Sequence, residues 1–279
     1  MKEYCGNYYV LNGELKNTQS FDTDNVYKGH SIYEVIRLTK GIPVFFNDHM
    51  ERLETSVRLR ERLMPAGSAE LRRCVLMLTE KERKKEINIK IVFNYTSSKT
   101  SYLVYFIESS YPAPEQYQKG VRTILFYAQR SDPHAKVLDF RLRSNIHQEL
   151  FDENAYEALL VNDENLITEG SRSNIFFIKG DVLYTAPDDL VLKGITRKYI
   201  LEICVAEGIK VQFEPVNADD LGMFDSAFIC GTSPMVLPIC SVNEKYFNTS
   251  NSLMSHLRTL YIKKVEESLL SFTNQQQGL

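Results

Sequence analysis

Two series of strand-forming runs, separated by one polar stretch, constrain the fold of this chain more than any other feature of its 279 residues. The first series opens at 8–16, where an Asn-Gly pair between extended segments is the strongest short signal for a β-hairpin. It ends at the polar, proline-bearing stretch 109–120, which is the best linker candidate, and strand patterns then resume. We therefore expect an α+β fold with mostly antiparallel sheets, in which residues 1–115 form a smaller domain and residues 116–279 a larger one.

Helices and strands are predicted from the spacing of apolar residues and from turn signals. Strands are expected at 29–46 (two strands with a turn at Lys40-Gly41), 86–96, 100–109, 121–128, 156–178, 210–216 and 226–232. Helices are expected at about 47–63, 68–84, 140–153, 194–208 and 251–271, the first of them capped by Asn47 or Asp48.

Composition limits the classes of function. The chain is 43% hydrophobic and 25% charged, which leaves ample apolar material for a core, and its formal net charge of −3 gives no basic field for nucleic acid or an anionic membrane. The five cysteines form no C-x-x-C pair, and the sequence shows neither a signal peptide's apolar stretch nor a run of transmembrane length. We expect a soluble, cytoplasmic protein without nucleic-acid, membrane or metal partners.

Two turns could bind an anion such as phosphate. In "LKGITRKYI" a helix begins after Gly194, and the first backbone N–H groups, at Ile195 and Thr196, lie at the positive end of the helix dipole. In "CGTSPMVLP" a strand ends at Thr232 and Ser233, whose hydroxyls could hold an oxyanion. Each pattern is also typical of an ordinary helix start or turn, so neither identifies a site alone.

Three charged residues complete the set of candidates. Arg52 lies one helical turn beyond His49, and a guanidinium suits phosphate because it stays charged and can bond bidentately. Lys136 stands between an apolar strand and a helical pattern. Glu169, in "LITEGSRSNIFFI", lies where paired strands are expected. Burying a carboxylate there costs free energy unless a positive group lies next to it. Taken separately, each is more often a solvated or locally paired side chain.

The order of these motifs along the chain resembles that of one enzyme family. The series runs H-x-x-R-L, K, Y-E-A-L-L, T-E-G-S-x-S-N-I-F, L-x-G-I-T-R and G-T-S-x-x-x-x-P, within a match from about Tyr9 to Val242. It is similar to the class IV aminotransferases, the fold type IV group that depends on pyridoxal 5'-phosphate. That group includes branched-chain aminotransferases, D-amino-acid aminotransferases and aminodeoxychorismate lyase. The T-E-G-S motif followed by L-x-G-I-T-R is a specific pairing.

The resemblance implies a role for each candidate at the cofactor. Lys136 corresponds to the Schiff-base lysine, which joins the cofactor aldehyde and later acts as the general base. Glu169 corresponds to the carboxylate that keeps the pyridine nitrogen protonated, which answers how a carboxylate is tolerated there. The phosphate would be held by Arg52, Ile195, Thr196 and Thr232. A cofactor-binding fold without catalysis is disfavoured because Lys136 and Glu169 are both in place.

Further positions match the family less closely. Arg141 stands where branched-chain enzymes carry a tyrosine, five residues after the lysine, so either Arg141 contacts the cofactor O3' or that contact is missing. Tyr33 and Arg37 alternate on one face of a strand, which faces substrate in the family but could also be a core face with Arg37 paired locally. Lys90 matches a strand position that carries a carboxylate-binding arginine in branched-chain enzymes. Ser233 is the fourth expected substrate residue.

These matches favour one reaction and leave two alternatives. The resemblance implies a homodimer that transfers amino groups between an amino acid, expected to be an L-amino acid of branched-chain type, and a 2-oxo acid. Asn94 and Thr96 stand where D-amino-acid enzymes place an arginine and a histidine, which counts against a D-amino-acid substrate. A lyase of the aminodeoxychorismate type would share the cofactor site, and Lys90 would suit its dianionic substrate. The lyase pattern, however, has a threonine near Glu34 or Val35 that is absent here.

Overall fold

The computed structural model describes residues 3–130 and 132–277, which form two compact units. Unit 1 consists of the chain up to Ser110, the segment Ala135–Leu138 and the chain from Val265 onward, and unit 2 consists of Tyr111–His134 and Asp139–Lys264. The segment that holds Lys136 thus lies in unit 1, although the sequence pattern groups it with the second domain. The expected domain ranges stay a prediction, and their outer ends, at residues 1 and 279, lie outside the described residues.

Unit 1 is built on a six-stranded sheet. Its elements are β1 (Cys5–Leu11), β2 (Glu14–Asn17), α1 (Asp24–Tyr27), β3 (His30–Thr39), β4 (Ile42–Pro43), α2 (Phe46–Leu59), α3 (Ser68–Glu82), β5 (Ile87–Tyr95) and β6 (Thr100–Ile107). The strand order is β2-β1-β6-β5-β3-β4, and each neighbouring pair is antiparallel. The mostly antiparallel architecture expected from the hairpin signals is therefore confirmed for this unit.

Two tight turns predicted from glycine-bearing pairs are confirmed. Asn12 and Gly13, at φ 50° and 83°, connect β1 to β2, and Lys40 and Gly41, at φ 55° and 79°, connect β3 to β4. Two consecutive residues with positive φ are the signature of the turn that matches the twist of a hairpin, and glycine at the second position relieves its steric cost.

Both faces of the unit 1 sheet are covered, and each face has its own packing partners. On the helix-facing side, alternate residues of β3 and β5 such as Ile36, Ile89 and Phe93 pack with residues of α2 and α3. On the other side, Val92 and Tyr105 belong to a second cluster with residues of α1 and β1. This explains why all nine residues of β5 are buried and why its sequence reads as a nearly continuous apolar run.

Unit 2 contains a ten-stranded sheet. Its elements are α4 (Pro114–Lys119), β7 (Val121–Tyr127), α5 (Phe140–Asp152), β8 (Glu157–Val161), β9 (Leu166–Gly170), β10 (Asn174–Lys179), β11 (Val182–Tyr184), α6 (Ile195–Glu207), β12 (Lys210–Gln212), β13 (Val216–Asn217), β14 (Ser226–Gly231), β15 (Met235–Val242), β16 (Lys245–Tyr246) and α7 (Ser252–Gln277, which continues into unit 1). The order is β12-β11-β10-β14-β15-β7-β8-β9-β13, and β16 pairs with β15. Three of these pairings are parallel: β11 with β12, β15 with β7, and β7 with β8. Among the described residues, no helix is both long and apolar enough to cross a membrane.

Local structure differs from the sequence expectation at three places. The proline-bearing linker candidate contains the short helix α4, and the single strand expected at 210–216 is two short strands that pair with different neighbours. The first long helix starts before its expected cap: α2 begins at Phe46, and Phe45, at φ 51°, occupies the cap position. Phe45 and Phe46 are both buried, and the Phe45 amide donates to Ser268 Oγ at 2.7 Å, so tertiary packing outweighs the capping preference.

Gly29→Ala is expected to lower the free energy of unfolding by roughly 3 kcal/mol or more. Gly29 has φ +83°, and an added Cβ would lie 2.4 Å from the Tyr95 carbonyl oxygen, so the backbone before β3 would have to shift. Gly180→Ala is the matched control, because Gly180 has φ +57° but no atom within 4 Å of an added Cβ. The control should lose only about 1–2 kcal/mol, the cost of the left-handed conformation. Equal losses in urea denaturation would contradict the steric explanation.

Candidate functional site

A carboxylate, an imidazole and a guanidinium form a buried cluster in unit 1. Glu34, on the helix-facing side of β3, accepts two hydrogen bonds from Arg52 of α2, Nε to Oε1 and Nη2 to Oε2, each 2.7 Å long. His49, one turn earlier on α2, donates from Nδ1 to Glu34 Oε2 at 2.8 Å. Burial alone would raise the pKa of Glu34, but the charge and hydrogen bonds of Arg52 outweigh it and lower that pKa to about 2. An ionised partner therefore fixes the plane of the Arg52 guanidinium, the expected phosphate ligand.

Lys136 is held against β3 and α2 by its own backbone. The Lys136 carbonyl accepts the Tyr33 amide at 3.0 Å, and the Lys136 amide donates to Ser56 Oγ at 3.1 Å. Two residues later, the Leu138 amide donates to the Ser31 carbonyl at 2.9 Å. The half-buried side chain places Nζ 4.9 Å from the centroid of the Tyr33 ring. Lys136 therefore presents a primary amine from a fixed position, a geometry suited to a nucleophilic lysine.

The expected substrate residues Tyr33, Arg37 and Lys90 lie on the side of the sheet opposite to α2 and α3. Lys90 Nζ is 5.2 Å from the centroid of the same Tyr33 ring that Lys136 faces, so the structure brings Tyr33, Lys90 and Lys136 together. Arg37 forms an ion pair with Glu86, with 3.9 Å between Nη2 and Oε2. This is the local pairing that the strand pattern also allows, and a role for Arg37 at substrate stays a prediction.

The carboxylate of Glu169 meets a cation within unit 2. Glu169 Oε1, on β9, lies 3.0 Å from Arg130 Nε, and Oε2 accepts a hydrogen bond from the Leu192 amide at 3.2 Å. Arg130 also donates from Nη2 to the Ser171 carbonyl at 2.8 Å. The sequence predicts a positive partner for Glu169 but does not identify Arg130, because strands β7, β8 and β9 bring them together only through their order in the sheet.

A second buried carboxylate holds the turn that follows β9. Glu157, at the start of β8, accepts hydrogen bonds from the hydroxyls of Ser171 at 2.6 Å and Ser173 at 3.0 Å, and from the Arg172 amide at 3.3 Å. An added Cβ on Gly170 would lie 2.1 Å from Ser173 Oγ, so it would displace that hydroxyl from its place in the turn. The E-G-S-x-S motif is therefore a compact turn fixed from within unit 2, and its serines have a structural role that sequence reasoning leaves open.

Helix α6 begins at Ile195 with Gly194 as its N-cap, as the motif predicts. Its first-turn N–H groups cannot find carbonyl partners within the helix, so they are oriented to bind an anion. Thr196 is buried, and its hydroxyl shares a hydrogen bond of 3.1 Å with the Tyr261 hydroxyl. Asn174 packs closely against the N-cap residue Gly194, since an added Cβ on Gly194 would lie 2.0 Å from Asn174 Oδ1. Packing therefore fixes the start of the helix.

The remaining candidates are less enclosed. Thr232 and Ser233 are half-buried in the turn between β14 and β15. Arg141 is exposed in the first turn of α5, where Asp139 caps the helix by accepting the Leu142 amide at 3.0 Å. Contacts of Arg141 with the cofactor O3', and of Thr232 and Ser233 with ligands, stay predictions.

The sequence identifies the candidate residues better than it identifies the residues that contact them. Glu34 has a usable signal, because a carboxylate in the apolar run "SIYEVIR" must meet a cation and H-x-x-R supplies one on the next helix. Arg130, Glu157 and Tyr261 have no comparable local signal. Their contacts depend on sheet order and on helix packing, which appear only in three dimensions.

Glu34→Gln is expected to lower the free energy of unfolding by about 3 kcal/mol or more, because it leaves the Arg52 guanidinium largely buried without its counter-charge. The pKa of Glu34 falls from an ordinary 4.5 to about 2 on folding, so its stabilisation is present above pH 4.5 and is lost as the pH falls toward 2. Urea denaturation at several pH values should show a flatter acid limb in the variant than in the wild type.

Glu86→Gln is the matched control for this prediction. The Glu86 side chain is 50% exposed and lies 3.9 Å from Arg37, so its removal should cost less than about 1 kcal/mol. Similar losses in the two variants would contradict a special stabilising role for the Glu34 cluster.

The donor set fits pyridoxal 5'-phosphate. That molecule carries an aldehyde, a basic ring nitrogen and a phosphate, which require a primary amine, a carboxylate and fixed N–H donors. Taken by itself, unit 1 contains a primary amine, Lys136, and a guanidinium, Arg52. Taken by itself, unit 2 contains a carboxylate, Glu169, and a helix start with exposed N–H donors, that of α6. In addition, each charged donor is oriented by a neighbouring side chain or backbone group.

Comparison with known proteins agrees with this chemistry. The family model "Amino-transferase class IV" matches residues 31–242. A D-alanine aminotransferase of Bacillus licheniformis is 29% identical over 250 residues, covering 84% of this chain and 88% of that protein. A branched-chain-amino-acid aminotransferase of Pseudomonas aeruginosa is 26% identical over 245 residues, covering 79% of this chain and 78% of that protein.

A solved structure shows the same fold. The branched-chain aminotransferase of Thermoproteus uzoniensis, solved with norvaline, matches with a TM-score of 0.82 at 23% identity, covering 95% of this chain and 97% of that one. The expected α+β fold type IV architecture is thereby confirmed. The family match spans most of the chain, and class IV aminotransferases use pyridoxal 5'-phosphate. The chain therefore belongs to the class IV aminotransferases and is a pyridoxal-phosphate-dependent enzyme.

Proposed function

We propose that this enzyme transfers an amino group from an L-amino acid of branched-chain type to a 2-oxo acid. The observation that carries the proposal is the distribution of charge along β5. The Lys90 ammonium lies beside the Tyr33 ring that Lys136 also faces. Asn94, on the same face, is uncharged, and its amide donates to a backbone carbonyl and to Ser31 Oγ. In this proposal Lys90, as in the branched-chain pattern, would hold a side-chain carboxylate of the 2-oxo acid, and the uncharged Asn94 would not.

The surroundings of Lys90 also suit an apolar substrate side chain. The centroids of the Tyr33 and Tyr105 rings lie 5.2 Å and 5.8 Å from Lys90 Nζ. Aromatic walls with a few fixed polar groups are the usual lining of a small-molecule site, where the walls take up apolar groups and the polar groups set orientation.

The residues of this chain divide the work of binding and proton transfer. When bound, pyridoxal phosphate supplies a ring that withdraws electrons from the substrate Cα. The amine of Lys136 would hold the aldehyde, and the same Nζ would be the base that takes the proton from the substrate Cα. Glu169 would hold a proton at the ring nitrogen. The phosphate would be held by Arg52, the Ile195 and Thr196 amides, the Thr196 hydroxyl and Thr232.

Transamination of D-alanine is the second candidate, because the likeness to a D-alanine aminotransferase extends over most of the chain. A lyase of the aminodeoxychorismate type would use the same cofactor residues. The homodimer, the cytoplasmic location and the roles of Arg37, Arg141 and Ser233 are part of the proposal.

The purified enzyme is expected to show the visible absorbance of a pyridine aldehyde joined to a protein amine, and L-leucine or L-glutamate should bleach it by converting the cofactor to its amine form. Lys136→Ala should lack the absorbance because the bond to Nζ cannot form. If D-alanine alone bleaches the colour, the second candidate is correct. If all three amino acids leave it unchanged, release of pyruvate from aminodeoxychorismate becomes the deciding assay. A protein that stays colourless after addition of pyridoxal phosphate would contradict the cofactor assignment of Lys136.

Glu169→Gln is expected to keep the cofactor but to lower kcat by on the order of 10²-fold, since a neutral amide no longer stabilises the protonated ring nitrogen. Glu164→Gln is the control: Glu164 is exposed in the turn before β9 and should leave kcat within twofold, roughly the size of a surface effect. Cofactor content from absorbance and single-turnover rates would separate loss of binding from loss of proton transfer. An unchanged kcat in Glu169→Gln would remove Glu169 from the mechanism.

A further inference from the structure

The N-terminal segment places a carboxylate on Lys90. Glu3, which precedes β1, forms an ion pair with Lys90 Nζ and accepts hydrogen bonds from the hydroxyls of Tyr27 and Tyr105, the latter at 2.7 Å. Lys90 and Tyr105 are buried, whereas Tyr27 is partly exposed. We refer to Lys90, Tyr27 and Tyr105 as the carboxylate cradle.

The cradle has the chemistry of a carboxylate-binding site. An ammonium and two phenol hydroxyls converge on one carboxylate, and an ammonium can only donate hydrogen bonds. Burial alone would raise the pKa of Glu3, but the charge and hydrogen bond of Lys90, with the hydroxyls of Tyr27 and Tyr105, outweigh it and lower that pKa. The cradle therefore binds the ionised form of a carboxylic acid.

The cradle adjoins the catalytic lysine. The centroid of the Tyr33 ring lies 5.2 Å from Lys90 Nζ and 4.9 Å from Lys136 Nζ. The Lys90 and Lys136 side chains therefore lie beside the same aromatic ring. A substrate with its amino or oxo group at Lys136 can therefore direct a second group past Tyr33 toward Lys90. Glu3 occupies the place that a carboxylate on such a group would need.

Glu3 is attached less firmly than the other buried carboxylate of unit 1. The Glu34 side chain is 0% exposed and comes from the middle of the ten-residue strand β3. The Glu3 side chain is 13% exposed and lies two residues before the start of β1, whose pairing with β6 is irregular between Cys5 and Val10. Glu3 can therefore leave the cradle without breaking a strand.

We propose that Glu3 is a built-in competitor for substrate: its carboxylate occupies the cradle in the substrate-free enzyme and is displaced by the second carboxylate of a dicarboxylic amino acid or 2-oxo acid. The proposal rests on the proposed function and names dicarboxylates as the substrates that move Glu3. The exchange keeps an anion beside Lys90 at all times, which avoids the cost of a buried, unpaired ammonium. A carboxylate on a short tether acts at an effective concentration of about millimolar, so it competes with dicarboxylates at similar concentrations.

Hydrogen exchange on the cofactor-loaded enzyme tests the displacement directly. Glutarate, a dicarboxylate that has no amino or oxo group to react, should speed exchange of the amides at 3–8 in the wild type. Acetate, which lacks a second carboxylate, should leave that exchange unchanged. Unchanged or slower exchange with saturating glutarate would overturn the proposal, and this readout does not depend on whether any variant folds.

Glu3→Gln provides the second measurement. Removing the competitor should tighten glutarate binding, measured by calorimetry, by about tenfold, because the binding-competent state becomes the dominant one. In steady-state kinetics, 2-oxoglutarate should show a fall in KM of similar size. Glu14→Gln is the matched control, since Glu14 is 77% exposed in the same hairpin and pairs with Lys16. The control should leave both constants unchanged. An unchanged or weaker affinity for glutarate in Glu3→Gln would show that Glu3 is only a structural counter-ion of Lys90.

These readouts separate the two proposals. Glutarate binding and hydrogen exchange require no turnover, so they report on Glu3 even if no amino acid is transaminated. Failure of transamination with a positive exchange result would remove the proposed reaction and keep the carboxylate cradle. Transamination with no effect of glutarate on residues 3–8 would keep the reaction and remove the role of Glu3.

Discussion

The pairing of Glu34 with Arg52 is the interaction on which the arrangement of unit 1 depends. Charge inside a protein is tolerated only when it is matched, and here the match joins a strand to a helix. The segment with Lys136 bonds to the same two elements, through the Tyr33 amide on β3 and the Ser56 hydroxyl on α2. A change in the spacing of β3 and α2 would therefore move the Lys136 amine as well as Arg52, the expected phosphate ligand.

Buried carboxylates organise unit 2 in a similar way. Glu169 is shared between the Arg130 guanidinium and a backbone amide, and Glu157 collects two serine hydroxyls from the turn that follows. One carboxylate thus pairs with a cation, while the other accepts the hydrogen bonds that hold the loop. The two residues lie on neighbouring strands, so the orientation of the first is protected by the turn that the second stabilises.

The sequence predicts features with local causes and fails where contacts depend on topology. The turns at Asn12-Gly13 and Lys40-Gly41 follow from the conformational freedom of glycine, and the start of α6 follows from its L-x-G-I-T-R motif. The predicted start of α2 is wrong because burial of Phe45 and Phe46 stabilises the fold more than a polar cap would. Contacts that span long separations, such as Glu3 with Lys90 and Arg130 with Glu169, leave no trace in local patterns.

Neighbouring side chains of strand β3 make different contacts on the two faces of its sheet. Tyr33 faces the ammonium groups of Lys90 and Lys136, and the next residue, Glu34, faces the opposite way toward α2. Because side chains alternate along a strand, inserting or deleting a single residue within β3 would exchange these two faces. Natural relatives can therefore vary the side chains of this strand far more readily than its length, and insertions should collect in the loops that flank it.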